Sequence, residues 1–330
     1  MSRNQSQPPP VADSQPGQHR DGHPLDGVQY LEYKLILKPD RFTAAKVFLD
    51  YGKLVAKAAK EFGVGFANKG VVLKPAIREV VFLDTPDFRL YNHAFILRQR
   101  VAYVSGFPAG EPEIVFKFRH PDLQKAAGLD VRPNIAGNYR IKFKAEALPL
   151  KDQVGGYRLL FSHNAQFHLS QAPEGDRTSM ATLARVFPAL AALKISDSDR
   201  VELVNQTIVE EVLQDLGILD FGKGITADSN ISIWRERGSH HPLCGEFAFQ
   251  ARFKRRDEVS EKTKNRCRQF FIALQQSSHD WLLLGATKTA LDRLVVDVVA
   301  ALEFGLERKL AAQRVVSAAL AKCQHLASRW

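Results

Sequence analysis

The sequence predicts an α+β fold in which an antiparallel sheet comes first and a helical segment follows. Short stretches rich in β-branched and aromatic residues recur from Gln29 to about Arg256, bounded by Pro, Gly or Asn. From about Asp257 the apolar residues recur at spacings of three and four, which is typical of one helix face. The strands alternate apolar and polar residues, whereas a doubly wound parallel sheet has strands that are apolar on both faces. The alternation therefore favours an antiparallel sheet.

Three segments are predicted along the chain. Residues 1–27 form a disordered tail, residues 28–256 form the strand-rich domain, and residues 257–330 form a helical segment packed on that domain. The tail is rich in Pro, Gln, Ser and Gly and lacks the apolar core of a signal peptide. The late apolar stretch LVVDVVAALEFGL is interrupted by Asp297 and Glu303, so it is too short and too charged to span a bilayer.

The elements of the first two segments follow in a clear order. Asp40 is a candidate N-cap of the first helix, and Gly63 a candidate stop. Between Gly155 and Ser196 the pattern weakens and predicts only one helix. We predict a strand over 29–37, a helix over 39–63, strands over 78–85, 94–104, 113–120 and 138–148, a helix near 180–193, strands within 200–222, 230–237 and 245–256, and helices thereafter.

The charge balance of the chain points to an anionic partner. Of its 330 residues 45% are hydrophobic, and the net charge is +10 with a pI of about 9.5. Nucleic acid, an anionic membrane surface and a polyanionic small molecule all satisfy this balance. The three cysteines form no CxxC pair, so neither a disulfide framework nor a zinc site is supported. A reducing compartment fits, and we predict a cytoplasmic protein.

Four predicted strands carry cations on the face opposite their apolar residues. A single strand of this kind is an ordinary solvated face, but like charges on neighbouring strands repel one another. Four such strands make sense if an anion binds against them. If the sheet curls into a barrel, the cations line its bore and can contact a polyphosphate. The cations are Lys34, Arg98, Arg100, Lys117, Arg119, Arg140, Lys142 and Lys144.

Three glutamates accompany these cations. Carboxylate oxygens are ligands that Mg²⁺ and Mn²⁺ accept, so Glu32, Glu146 and Glu246 are candidate metal ligands. Glu32 is also a candidate for positioning an attacking water, and an ion pair to Lys34 or an arginine is its structural alternative. One of Glu210 and Glu211 faces the bore, and the sequence does not choose between them.

The strands with these residues resemble the CYTH or triphosphate tunnel metalloenzymes. The first strand of that family carries Glu-x-Glu-x-Lys, and here it reads YLEYK from Tyr30 to Lys34. The block VFLDTPDFRLYNHAFILRQR is similar to the family's Tyr-Phe-Asp-Thr-Pro and Leu-Arg-x-Arg elements. FKFRHP, RIKFKAE and GEFAFQ then follow in the family's order, so the resemblance covers roughly residues 29–256.

The resemblance implies a closed antiparallel β-barrel of the triphosphate tunnel type, with eight strands and decorating helices. It also implies hydrolysis of a linear triphosphate or polyphosphate, such as inorganic, nucleoside or thiamine triphosphate, with Mg²⁺ or Mn²⁺. Glu32 and Lys34 would be catalytic, and the phosphates would contact the cations named above. Glu32, Glu146 and Glu246 would hold the metal.

Two departures from the family pattern keep a second function open. Tyr30 stands where the family has its first glutamate, and Ala248 and Gln250 follow Glu246 where a second acid is common. Fewer carboxylates weaken metal binding, and the metal supplies much of the catalysis of phosphoryl transfer. The alternative is a non-catalytic tunnel that binds polyphosphate or nucleotide. Nucleic acid is disfavoured because the strand aromatics lie opposite the cations.

Overall fold

The computed structural model describes residues 17–19, 22–68, 71–253 and 259–285. Most of the predicted tail and the helical segment beyond residue 285 lie outside the described residues, as does the stretch LVVDVVAALEFGL. No helix in the described ranges has the length and apolar character needed to cross a membrane.

The described part of the chain forms strands and helices in an α+β arrangement. The strands are β1 Tyr30–Leu37, β2 Gly65–Ala67, β3 Ala76–Asp84, β4 Phe95–Val104, β5 Phe107–His120, β6 Arg140–Pro149, β7 Tyr157–His168, β8 Glu202–Leu203, β9 Val209–Asp220, β10 Thr226–Glu236 and β11 Pro242–Arg252. The α-helices are α1 Lys46–Glu61, α2 Arg89–Asn92, α3 Leu123–Gly128, α4 Met180–Val186 and α5 Glu261–Ser277.

Nine of these strands close into a barrel. The order around the ring is β9, β10, β11, β1, β6, β7, β5, β4 and β3, and β3 pairs with β9 to complete it. The short strands β2 and β8 pair with β9 and β3 outside the ring. Since a closed barrel has no free edges, the ring protects the backbone groups of its strands. The predicted closed barrel decorated by helices is confirmed.

The ring differs from the expected one in strand number and in one pairing. It has nine strands rather than eight, and β1 pairs with β6 in parallel, whereas the other ring pairings are antiparallel. An odd ring cannot alternate strand direction throughout, so at least one parallel pair is required.

Strand β7 was not predicted. It lies between β5 and β6 in the ring and pairs with both. Its sequence, YRLLFSHNAQFH, places Ser162 and Asn164 on one face and His163 and Ala165 on the other. These residues have low β propensity, and all four are buried. Burial of small and polar residues on both faces removes the apolar–polar contrast by which the other strands were found.

The apolar faces of the strands point outward and are covered by helices. Helices α1 and α5 pack against the β1, β10 and β11 side, with Tyr51, Phe270 and Phe271 fully buried. Helix α4 and the turns after it cover the outer faces of β4, β5 and β7, where Phe116 and Phe187 stack. The hydrophobic core therefore lies outside the ring. The other face of each strand lines the interior of the ring.

Helix α1 begins later than predicted. Asp40 lies in a 3₁₀ turn over Pro39–Arg41, and α1 starts at Lys46 without a side-chain cap. Gly63 follows the helix with a φ of 62°, a left-handed conformation that glycine adopts readily, so the predicted stop is confirmed.

Candidate functional site

The inner face of the ring is identified by contacts that reach over an intervening strand. Lys117 on β5 donates to Glu146 on β6 at 2.8 Å, although β7 lies between these strands. Lys144 on β6 donates to the side-chain oxygen of Gln250 on β11 at 2.5 Å, although β1 lies between them. Such contacts are feasible only on the concave side of a curved sheet.

The strand registers bring the predicted site residues to this inner face. Glu32 lies opposite Glu146 and Gln250, and Lys142 lies level with Lys117 through Asn164 of β7. The set comprises Glu32, Lys34, Arg98, Arg100, Lys117, Arg119, Arg140, Lys142, Lys144, Glu146 and Glu246. The closed ring and the charged residues on its inner face together define the fold.

The fold is a closed nine-stranded β-barrel, and we call its charged interior the tunnel.

One part of the tunnel pairs its cations with carboxylates. We call it the acid-paired zone, and it consists of Glu32, Lys34, Lys117, Arg119, Lys144 and Glu146. The side chain of Glu146 is only 1% exposed. Its carboxylate oxygens lie 2.8 Å from the ammonium nitrogen of Lys117, 3.1 Å from a guanidinium nitrogen of Arg119 and 3.4 Å from the ammonium nitrogen of Lys34. Glu32 receives Lys34 at 2.8 Å and Lys144 at 3.5 Å. The two glutamates are thus the hubs of a buried ion-pair network.

The protonation equilibria of the acid-paired zone follow from this network. Burial disfavours both carboxylates, but Arg119, Lys117 and Lys34 hold the pKa of Glu146 well below its ordinary value. Lys34 and Lys144 likewise hold the pKa of Glu32 at about 2, against the effect of burial.

The lysines of this zone respond in opposite directions. Burial would lower the pKa of Lys34, but Glu146 and Glu32 raise it above its ordinary value. Burial and Arg119 lower the pKa of Lys117 well below its ordinary value. Glu146 has one negative charge for three neighbouring cations, and among the lysines of this zone it is Lys117 whose charged form is disfavoured.

A second part of the tunnel holds cations without carboxylate partners. We call it the cation-rich zone, and it consists of Arg98, Arg140 and Lys142. Within the described residues, no hydrogen bond or ion pair reaches the side chains of Arg98 or Lys142. Arg98 and Arg140 occupy one register row, joined through Val115 and Gln166, and Arg140 is exposed to solvent.

The cations of this zone are destabilised by burial and by one another. Burial, followed by Arg100, lowers the pKa of Arg98 to about 10. Burial, together with Lys144 and Arg140, lowers the pKa of Lys142 to about 8. Glu211 and Glu113 oppose the shift of Arg98, and Glu113 opposes that of Lys142, but the net lowering of both pKa values shows that the charged forms are incompletely compensated. A bound anion would supply the missing compensation.

The tunnel also contains Arg78 and Glu113, which were not among the predicted site residues. Arg100 donates to Glu113 at 2.5 Å, and Arg78 lies 3.0 Å from Glu211. Glu211 therefore faces inward, whereas Glu210 pairs outside with Arg235. The period-two pattern of REVVFLDT and EIVFKFRH places Arg78 and Glu113 on the inner face, so these two could have been found from the sequence.

The carboxylates of the tunnel do not fit a divalent cation as they are arranged. Glu32 and Glu146 are each engaged by ammonium or guanidinium groups, and Gln250 beside them is neutral. In the described part of the chain, no group of three or more His, Cys, Asp or Glu side chains is arranged to hold a metal ion. The predicted Mg²⁺ or Mn²⁺ bound by Glu32, Glu146 and Glu246 stays a prediction.

Comparison with known proteins gives structural similarities only. No protein-family model and no curated protein matches the chain. Among solved structures, the chain is similar to a candidate adenylyl cyclase from Hippeastrum with a dominant triphosphatase activity, at 12% identity, a TM-score of 0.37, and coverage of 81% of this chain and 95% of that one.

Two further structures have similar scores. A candidate adenylate cyclase from Bacillus halodurans has 11% identity and a TM-score of 0.33, covering 74% of this chain and 90% of that one. A protein from Pyrococcus horikoshii has 11% identity and a TM-score of 0.32, covering 81% and 98%. All of these TM-scores lie below 0.5, so the fold is assigned from the closed ring and its inner face.

Proposed function

We propose that this chain is a triphosphate tunnel protein that binds a linear triphosphate or polyphosphate along the cation-rich zone. The observation that carries the proposal is a pair of cations inside the ring, Arg98 and Lys142, that no hydrogen bond or ion pair reaches within the described residues. Arg98 and Lys142 are partly removed from water, which is costly for charged groups without close partners, and a ligand with several anionic oxygens reduces that cost. Arginine offers forked contacts to phosphate, and lysine offers a point charge.

The length of the cation path favours a chain of phosphates over a single one. Arg98 and Arg140 are separated around the ring by strands β5 and β7, and Lys142 lies one inward position beyond Arg140 on β6. Adjacent inward residues on one strand lie about 6.6 Å apart. A linear triphosphate offers a phosphate group to each of these three residues.

Isothermal titration calorimetry with inorganic triphosphate tests this binding. We expect a saturable heat for the wild type and an affinity at least about tenfold lower for Arg98→Met, since one charged hydrogen bond contributes roughly 1.5–3 kcal/mol. Arg235→Met is the matched control, because it removes the same charge from the outer surface. Binding that is absent in the wild type, or equal in all three proteins, would overturn the proposal.

Hydrolysis of the bound anhydride is a second candidate function. The observation that favours it is the facing pair of Glu32 and Glu146, with Lys34 between them in the acid-paired zone. In this reaction a water oxygen forms a bond to the terminal phosphorus and the anhydride P–O bond breaks. The products from triphosphate are orthophosphate and pyrophosphate, and the proton of the water passes to solvent.

The electrostatics of the acid-paired zone limit what Glu32 can contribute to hydrolysis. A carboxylate with a pKa of about 2 is a weak base near neutral pH, so it can orient a water but does not readily accept its proton. Lys34 stays charged and would stabilise negative charge on the transferred phosphoryl group. Phosphate release from inorganic triphosphate and ATP, with Mg²⁺ or Mn²⁺, tests the candidate. Release that Glu32→Gln abolishes would establish the hydrolase, and no release would leave a binding tunnel.

A further inference from the structure

We infer that the tunnel selects the metal-free form of a linear polyphosphate and discriminates against its Mg²⁺ complex. This inference rests on the proposed binding function and concerns the charge state of the ligand. It follows from how the tunnel distributes its acids, its neutral polar groups and its unpaired cations.

Two acids of the tunnel are already engaged by side-chain cations. Glu146 is engaged by Lys117, Arg119 and Lys34, and Glu32 by Lys34 at 2.8 Å. A divalent ion binding to either carboxylate would have to displace ammonium or guanidinium groups at the centre of a buried network. The displaced cations would then stand next to the incoming ion, and like charges at this range repel.

Neutral groups stand beside Glu32, where further carboxylates would attract a metal. Gln250 lies directly opposite Glu32, and its side-chain oxygen accepts a hydrogen bond from Lys144 at 2.5 Å. Tyr30 is the first residue of β1 and lies on the same strand face as Glu32, and its ring centroid lies 5.7 Å from the charged groups of both Lys144 and Arg252. An amide and an aromatic ring, each already engaged by a cation, add no negative charge for a hard divalent ion.

The unpaired cations favour a ligand that retains its full negative charge. Magnesium bound to a polyphosphate neutralises oxygens that Arg98 and Lys142 would otherwise contact. A metal complex would therefore leave part of the positive charge of the cation-rich zone uncompensated. A free polyphosphate compensates both cations, so the electrostatic match is better without the metal.

Calorimetric titration of the full-length wild-type protein with inorganic triphosphate tests the inference. One titration contains EDTA and the other excess Mg²⁺, with ionic strength matched by NaCl because salt screens charge. We expect the apparent dissociation constant to rise at least about tenfold in Mg²⁺, since only the metal-free fraction of the ligand would bind. A dissociation constant that is unchanged or lower in Mg²⁺ would overturn the inference. Absence of binding in both buffers would instead refute the proposed function.

A titration with Mg²⁺ alone gives an independent readout. We expect no saturable heat from the wild type, because Glu32 and Glu146 are held by lysine and arginine. A saturable heat that disappears in Glu32→Gln would contradict the inference.

Gln250→Glu tests whether the neutral neighbour of Glu32 causes the discrimination. The substitution places a second carboxylate opposite Glu32, and we expect the affinity loss in Mg²⁺ to shrink severalfold. Gln124→Glu, on the exposed surface of α3, adds the same charge away from the tunnel and should leave the loss unchanged. An undiminished loss in Gln250→Glu would show that the lack of acid at this position is not the cause.

Discussion

The acid-paired zone and the cation-rich zone lie in one tunnel and are built from the same residue types, yet they differ in how charge is balanced. In the first, Glu146 binds Lys34, Lys117 and Arg119 through direct contacts. In the second, Arg98 and Lys142 have no such partner among the described residues. The comparison teaches that cations on a strand face do not by themselves mark a ligand site. We propose a ligand only at the cations that lack such contacts.

The difference between the zones predicts opposite effects on stability. A carboxylate that compensates several buried cations stabilises the fold, and its removal leaves those cations without a partner. An uncompensated cation destabilises the ligand-free fold, and its loss relieves the strain. Substitutions in the two zones therefore sharpen the comparison by the sign of the change in unfolding free energy.

The largest expected effect is that of Glu146→Gln. We expect the free energy of unfolding to fall by roughly 3–5 kcal/mol, the cost of removing one partner from a buried ion pair. Chemical denaturation of the ligand-free protein measures it. Asp50→Asn is the control, because Asp50 pairs with Lys53 on the exposed surface of α1 and such pairs contribute little to stability. Equal losses in both variants would remove the distinction between the two environments.

A smaller effect of opposite sign is expected for Arg98→Met. Replacement of a buried, unpartnered guanidinium by an apolar side chain of similar length should raise the free energy of unfolding by about 1–2 kcal/mol. The same denaturation experiment measures this change. A lower free energy of unfolding for Arg98→Met would show that Arg98 stabilises the ligand-free fold, which would contradict its assignment to the cation-rich zone.

The smallest effect concerns the pH dependence of Lys142. Its folded-state pKa of about 8 lies below the value of roughly 10.4 in an unfolded chain. Between these two values the unfolded state binds more protons, so the stability of the ligand-free protein should rise with pH across this window. Lys142→Met should flatten that rise.

The same lysine should make triphosphate binding pH-dependent. Affinity is expected to decrease as pH rises through about 8, because Lys142 then loses its charge. Lys142→Arg should keep its charge and shift the decrease to higher pH. An affinity profile that is identical in wild type and Lys142→Arg would indicate that Lys142 does not contact the ligand.

The inner face of the tunnel could be predicted from the sequence because strand alternation is a local property. In YRIKFKAE and AFILRQRV the period of two assigned Lys142, Lys144, Arg98 and Arg100 to one face, and the structure has them there. The closed barrel followed from a family resemblance in the same strands.

The partition of the tunnel into two zones could not be predicted, because it depends on contacts between distant strands. Lys117 contacts Glu146 across β7. The polar and small residues of β7 do not show the alternation that predicts a strand. The choice between Glu210 and Glu211 likewise depends on the register of β9 against β3, which no local pattern specifies. Which cations stay unpaired is decided only when the ring closes.

The central claim, that uncompensated cations in the tunnel bind a linear phosphate chain, is tested most directly by ligand-linked unfolding of wild type and Arg98→Met. Inorganic triphosphate at 100 times its dissociation constant should stabilise the wild type by about 2.7 kcal/mol. The account predicts this stabilisation in the wild type and, because the affinity falls at least about tenfold, no more than about 1.4 kcal/mol in Arg98→Met at the same concentration. Equal stabilisation of the two proteins, or none in the wild type, would contradict it.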